Sequence, residues 1–191
     1  MTNVAIVDFD KTLISKDSIV TMIKGEQLYV YPSIVLLGIA LMLFRYVLPR
    51  KLQIPLRTRL KFLILTKLHV RNSDNKIIEK YSEKLKSSLN EPLVRHLLKE
   101  YRQVYIFSSS WQPFVEKFIR MWTAQESWQV YGTELDELSY FKIRWYTQKL
   151  DGLTTLNINS FDLFTDSFDD KPLMCKADNV FLVHNQVWKK L

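Results

Sequence analysis

At 191 residues the chain is long enough for one α/β core with a modest insertion and too short for two large domains. Apolar residues make up 47% and aromatics 13%, against 4 Gly and 6 Pro, which excludes a disordered or low-complexity protein. The net charge of +7 is concentrated: between residues 27 and 73 there is no Asp or Glu, while Arg45, Arg50, Lys51, Arg57, Arg59, Lys61, Lys67 and Arg71 leave the rest of the chain near neutral. No zinc-ligand spacing, arginine-rich recognition helix or stacking motif accompanies that stretch, so nucleic acid is not expected as a partner. Cys175 is the sole cysteine; it reads as a small buried apolar filler in a reducing compartment. An apolar run starting at Val4 leaves no room before it for a cleaved secretion signal.

Val4-Ala5-Ile6-Val7 is short and β-branched, the pattern of a strand covered on both faces in a parallel sheet. Asp8, Asp10 and Thr12 follow at two-residue spacing. The carboxyl ends of such strands face the ligand crevice of an open α/β sheet. Two acids so close beside apolar walls need a cation or a shared proton, and Mg2+ with a phosphate meets that need.

Asp17 or Ser18 then caps a helix carrying Ile19, Val20, Met22 and Ile23. Residues 28–44 are uncharged and mostly apolar, with Pro32 at a helix start and Arg45 as the stop. The run is apolar around its whole circumference and lies at the lower edge of a bilayer span. Three readings stand for it: a buried helix, a membrane-dipping or interfacial hairpin, and a true span. A turn through Pro49 and Pro55 leads to a helix over 56–70 that mixes Leu60, Phe62, Leu63, Ile64 and Leu65 with cationic side chains, an interfacial composition that makes an anionic membrane surface a candidate partner. After a polar break at 72–75, Ile77, Ile78, Tyr81, Leu85 and Leu89 recur at helical spacing. A further helix over 92–101 delivers the chain to a strand at 104–107, followed by Ser108-Ser109-Ser110.

Phe114, Val115, Phe118, Ile119 and Trp122 mark a helix over 112–122, and a strand at 128–132 follows. Residues 140–145 alternate like a hairpin strand, and 148–156 read as a short helix with Lys149 near its start. A strand at 161–164 leads to Asp166, Asp169 and Asp170, and a final strand is expected at 179–183. Strands alternating with helices predict an α/β protein with a doubly wound parallel sheet.

Four pieces in this order, namely the apolar strand with Asp8, Asp10 and Thr12, the strand ending at Ser108, Lys149, and the strand ending in Asp166 to Asp170, resemble the haloacid dehalogenase (HAD) superfamily of phosphohydrolases. The resemblance covers residues 1–14 and 95–185. The long insertion after the first motif resembles the helical cap of the phosphoserine-phosphatase-like branch, subfamily IB. Within that branch, the apolar run, the basic segment after it, Ser108-Ser109-Ser110-Trp111-Gln112-Pro113, Gln148-Lys149-Leu150, and Thr165-Asp166-Ser167 with Pro172-Leu173-Met174 are similar to the phosphatidylglycerophosphatase C family.

The resemblance implies a Rossmann-like, HAD-type core of residues 1–14 and 95–191 with an α-helical cap of residues 15–94. It implies a Mg2+-dependent phosphomonoesterase in which Asp8 is the nucleophile that forms an aspartyl-phosphate and Asp10 protonates the leaving oxygen, then activates water. An acid at the second position favours phosphate over carbon–halogen chemistry. Lys149, with Lys142 and Lys171 as rivals, neutralises charge between Asp8 and the phosphate. Thr12 holds the loop, and Ser108 binds phosphate with the backbone of Ser109 and Ser110. The implied metal set is Asp8, Asp10 through its carbonyl, Asp166, and Asp170 as the orienting acid, while Asp169 reads as a helix-start acid. Asp17 stands where phosphoserine phosphatases carry a Glu that grips the substrate, and Thr165 replaces the usual Gly before Asp166. The substrate is a phosphate monoester: a lipid at the membrane, with the protein at the inner face of the cell membrane, or a small cytoplasmic metabolite. A catalytically idle, phosphate-recognising module is the reading of another class. No obligate protein partner is expected.

Overall fold

The computed structural model describes residues 3–27, 32–44, 60, 63, 64, 66, 76–123, 127–135 and 141–191. At the centre lies β1 (Val4–Asp8), with β2 (Gln103–Trp111) on one side and β5 (Asp162–Thr165) on the other, both parallel to it. Outside these, β3 (Gln129–Leu135) pairs in parallel with β2, and β6 (Asn179–His184) with β5. Two antiparallel edge strands, β4 (Phe141–Lys142) on β3 and β7 (Val187–Lys190) on β6, complete the order β4-β3-β2-β1-β5-β6-β7. The chain leaves β1 toward β2 on one side and returns to β5 on the other, so the strand order reverses at β1 and opens a crevice at its carboxyl end, where Asp8 sits.

The alternation within the strands explains why the sheet is covered on both faces. Ala5, Val7, Val104, Ile106 and Phe164 face one apolar layer, and Ile6, Tyr105, Phe107, Tyr131 and Leu163 the other. The first layer is built by α1 (Ser18–Gly25), α3 (Lys76–Leu85), α4 (Glu91–Glu100) and α5 (Gln112–Trp122), with Ile34 of α2 (Pro32–Phe44) and Ile64 joining it. The second is closed by α6 (Leu150–Thr155) and α7 (Lys171–Met174) through Leu150, Leu153, Leu173 and Met174. The residues inserted between β1 and β2 thus share one core with the sheet: Ile19, Met22, Ile78 and Tyr81 pack in the same cluster as Phe9, Phe114 and Phe118.

Several boundaries differ from those expected. Helix α4 begins at Glu91, one residue before the helix expected over 92–101. Leu89 follows a 3-10 turn (Lys86–Ser88) and does not belong to α3. β2 continues to Trp111 with an irregular register beyond Phe107, which places all three serines inside the strand. Among the described residues of the hairpin strand expected over 140–145, β4 keeps Phe141 and Lys142. β6 is not the last strand, because Asn185 and Gln186, at φ 48 and 66, turn the chain into β7. Cys175 is exposed, not a buried filler: it lies just beyond α7, whose inward anchor is Leu173.

In α2, Ile34 is buried while Val35, Leu36, Ile39 and Leu43 are exposed, Leu36 at 67% and Leu43 at 66%. Among the described residues no helix is long and apolar enough to cross a membrane. Residues 28–31 of the apolar run, the basic side chains from Arg45 to Arg71, and the polar break at 72–75 lie outside the described residues. So does the helix expected over 56–70, except that residues 60, 63, 64 and 66 are helical.

Candidate active site

Phe9 is fully buried and meets Phe114 and Phe118 edge-on, with ring centroids 6.0 and 5.4 Å away. This anchor, worth about 0.5–1.5 kcal/mol per aromatic pair beyond area burial, fixes the backbone between Asp8 and Asp10. Lys11 then takes the left-handed conformation at φ 62, and Leu13 N–H returns to the carbonyls of Asp8 and Phe9. Asn90 clamps the loop from outside. Its side-chain amide donates to the Thr12 carbonyl at 3.2 Å, its backbone N–H donates to Leu13 O at 2.8 Å, and its Oδ1 caps α4 by accepting from Leu93 N. The Thr12 hydroxyl is buried without a hydrogen-bond partner, so the loop is not held by that side chain as expected; the Asn90 clamp and the backbone hold it.

Lys149 ends a 3-10 turn (Tyr146–Lys149) and is 3% exposed. Its ammonium lies 2.6 Å from Asp8 Oδ1 and 2.8 Å from Asp170 Oδ1. Asp170 Oδ2 accepts from the Thr165 hydroxyl at 2.8 Å, which gives the residue that stands in place of the usual Gly a role of its own. Both rivals of Lys149, Lys142 and Lys171, are exposed. Burial above all pushes Asp8 up to about 8; Lys149 opposes the rise, and Asp170 and Asp166 add to it. Burial also raises Asp166, against the pull of Lys11. Burial alone would lower Lys149, but the carboxylates of Asp170 and Asp8 and their hydrogen bonds hold it above its ordinary value. The lysine therefore stays charged, while burial opposes the ionisation of Asp8 and Asp166.

Asp10 is held separately. Ser110 Oγ donates to its Oδ2 at 2.6 Å, and the Ser18 N–H donates to its Oδ1 at 2.8 Å. Asp8, Asp10, Lys11, Asp17, Ser109, Trp145, Lys149, Asp166, Ser167, Asp169 and Asp170 line a cleft of about 150 Å³. The structure thus brings Asp8, Asp10, Asp17, Ser109, Lys149, Asp166 and Asp170 together and leaves Thr12 and Ser108 out of the cleft wall. Ser108 is buried, and its hydroxyl accepts from Ser110 N at 3.0 Å; Ser109 is the serine that faces the cleft. Asp17 lines the cleft while its carboxylate caps α1, accepting from Val20 N at 2.9 Å.

Of the four acids expected around a metal, two have side chains engaged at both oxygens: Asp10 by Ser110 and Ser18, Asp170 by Lys149 and Thr165. Asp170 is held in place by Lys149 and Thr165, as an acid that orients the site would be. Among the described residues no three His, Cys, Asp or Glu side chains form a metal cluster. Asp8 and Asp166, two half-buried hard oxygen donors in one cleft whose ionisation burial opposes, fit a cation such as Mg2+ when a backbone carbonyl and water complete the shell. Sequence reasoning missed the side chains of Ser18, Ser110, Asn90, Lys11 and Trp145. Ser110 carried a local signal toward the site in its place in the serine run, while Ser18 and Asn90 carried one only toward a helix start.

The fold, a mostly parallel α/β sheet with helices on both faces, is shared with solved structures of phosphatases and related hydrolases. A phosphoserine phosphohydrolase-like protein from Francisella tularensis subsp. tularensis SCHU S4 aligns over 94% of this chain and 86% of its own, with a TM-score of 0.58 and 19% identity. Cytosolic 5′-nucleotidase IIIB bound to cytidine aligns over 95% and 72%, at 0.60 and 13%. A phospho-aspartyl intermediate analogue of phosphoserine phosphatase aligns over 94% and 85%, at 0.52 and 13%. No protein-family model and no curated protein matches the sequence.

Proposed function

We propose that the protein is a Mg2+-dependent phosphomonoesterase that works through an aspartyl-phosphate on Asp8. The observation that carries this reading is the placement of Asp8 at the carboxyl end of the central strand, against the buried Lys149 ammonium at 2.6 Å, with Asp10 in the same cleft. In the first half-reaction an Asp8 carboxylate oxygen attacks phosphorus, the bond from phosphorus to the leaving oxygen breaks, and that oxygen takes a proton from Asp10. In the second, a water oxygen attacks the same phosphorus and its proton passes to Asp10. Asp8 leaves as a carboxylate with the electron pair of the broken bond, and inorganic phosphate is released. Lys149 offsets charge on Asp8 and on the incoming phosphate throughout. Asp8 and Asp166 would hold Mg2+, which would supply positive charge that favours their ionised forms and balances the phosphate.

The substrate class proposed is a lipid phosphate monoester such as phosphatidylglycerophosphate, reached at an anionic membrane surface. Helix α2 supports this: four of its apolar side chains are exposed, and the sequence after it carries eight Lys and Arg without an acid up to residue 73. A cleft of about 150 Å³ takes the phosphoryl group and a few more atoms, so the rest of a long substrate lies outside it. A small soluble phosphate ester is the second reading, favoured by the likeness to phosphoserine phosphatase. A catalytically idle phosphate-recognising module fits less well, because Asp8, Asp10 and Lys149 are all in place. The test is hydrolysis of an aryl phosphate by wild type and by Asp8→Asn, with and without EDTA. The expected result is turnover that Asp8→Asn abolishes and EDTA silences; wild-type turnover that survives EDTA would overturn the metal-assisted scheme.

A further inference from the structure

We propose that Ser18 and Ser110 are positioning residues for Asp10, fixing the plane of its carboxylate so that its proton is aimed at the leaving oxygen. The inference rests on the phosphatase reading and adds two residues from separate parts of the chain. Ser110, in β2, donates its hydroxyl to Asp10 Oδ2 at 2.6 Å, and Ser18, the first residue of α1, donates its backbone N–H to Oδ1 at 2.8 Å. The two hydroxyls meet at 2.8 Å. A serine has one hydroxyl proton; since that of Ser110 is given to Asp10, Ser18 Oγ is the donor of the bond between the serines. The result is a directed chain, Ser18 to Ser110 to Asp10. Both serines have no exposed surface, so no solvent molecule replaces either bond if it is lost. Ser110 is itself held through its N–H to Ser108 Oγ at 3.0 Å, which gives the buried Ser108 a place in the same network. The other end of the chain is anchored by packing, since Ile19 and Met22 bury the inner face of α1 in the core.

Gripped at both oxygens, Asp10 keeps one orientation in a cleft that would otherwise allow its carboxylate to rotate. Misplacing a proton donor by about 1 Å costs on the order of a hundredfold in rate. The cost falls on poor leaving groups, because a nitrophenolate departs with little help from an acid while an alkoxide needs the proton as the bond breaks.

The experiment compares kcat/KM, which ends at transfer to Asp8, for an alkyl phosphate and for 4-nitrophenyl phosphate in wild type, Ser110→Ala, Ser18→Ala and Asp10→Asn, each checked for its thermal melt. The expected result is that Ser110→Ala loses about tenfold more on the alkyl ester than on the nitrophenyl ester. Ser18→Ala, which keeps the amide bond to Asp10, should lose less but with the same preference. If Ser110→Ala does not fold, Ser18→Ala carries the test alone. Equal losses on the two esters in the serine variants, with Asp10→Asn still selective, overturn the positioning role and leave the phosphatase reading intact. Full activity of Asp10→Asn overturns that reading itself.

Discussion

Lys149 stands 141 residues along the chain from Asp8, yet its ammonium lies 2.6 Å from the Asp8 carboxylate in the interior of the site. The contact exists because the turn carrying Lys149 folds over the carboxyl end of β1. Its energetics depend on Asp170, the second acid on the same ammonium.

Removing the lysine leaves Asp8 and Asp170 facing each other without the cation between them. Breaking a buried pair from one side costs about 3–5 kcal/mol, so Lys149→Ala should lower the melting temperature by about 10 °C for a chain of this size and reduce phosphatase turnover at least a hundredfold. Adding Asp170→Asn to Lys149→Ala should recover part of the lost stability, because the second negative charge goes with it. Strictly additive losses in the double variant would show that the three groups are not energetically coupled.

The metal-free protein should lose stability as pH rises. Asp8 has an ordinary value of 3.8 and is pushed up to about 8 by burial. Between those values the folded form of this group binds more protons than the unfolded one, so the contribution of Asp8 to stability is greatest below about 4, falls across the interval, and levels off above about 8. The raised Asp166 acts in the same direction. Asp8→Asn removes the larger effect, so the melting temperature of Asp8→Asn minus that of wild type, measured in EDTA, should grow from pH 5 to pH 8. Adding Mg2+ at pH 8 should raise the wild-type value. A difference that stays flat across this range would refute the buried-charge account.

If α2 enters a lipid surface, wild type should sediment with anionic liposomes and release as salt is raised. Replacing Leu36, Ile39 and Leu43 by Gln should abolish sedimentation while sparing hydrolysis of an aryl phosphate, since all three side chains are exposed and none lines the cleft. Wild type that ignores liposomes would move the substrate to the soluble esters.

Much of this protein is legible in the sequence because the signals are local. Four apolar residues before Asp8 announce a doubly covered strand, the 3.6-residue recurrence from Phe114 to Trp122 announces α5, and the pair Asp17 and Ser18 announces the start of α1, which Asp17 caps. The spacing of Asp8 and Asp10 is itself chemical information, since consecutive strand-end residues two apart share an environment wherever the strand is placed. The alternation of helices and strands likewise suffices for a doubly wound sheet.

What the sequence could not decide are contacts whose partners are far apart in the chain. Ser18 and Ser110 are 92 residues apart, and nothing local to either indicates a hydrogen bond between them. Only the packing of α1 beside the end of β2 brings their hydroxyls to 2.8 Å. Asn90 reads locally as a helix cap and becomes a clamp on the Asp10 loop only because α4 begins beneath Thr12 and Leu13. The choice among three serines followed the same rule: residue type allowed each to meet phosphate, but the irregular register between Phe107 and Trp111 turns Ser109 to the cleft and buries Ser108 and Ser110. Periodicity and spacing report the backbone within one element. Which hydroxyl meets which carboxylate is set by the crossing of elements, and only the folded sheet fixes that.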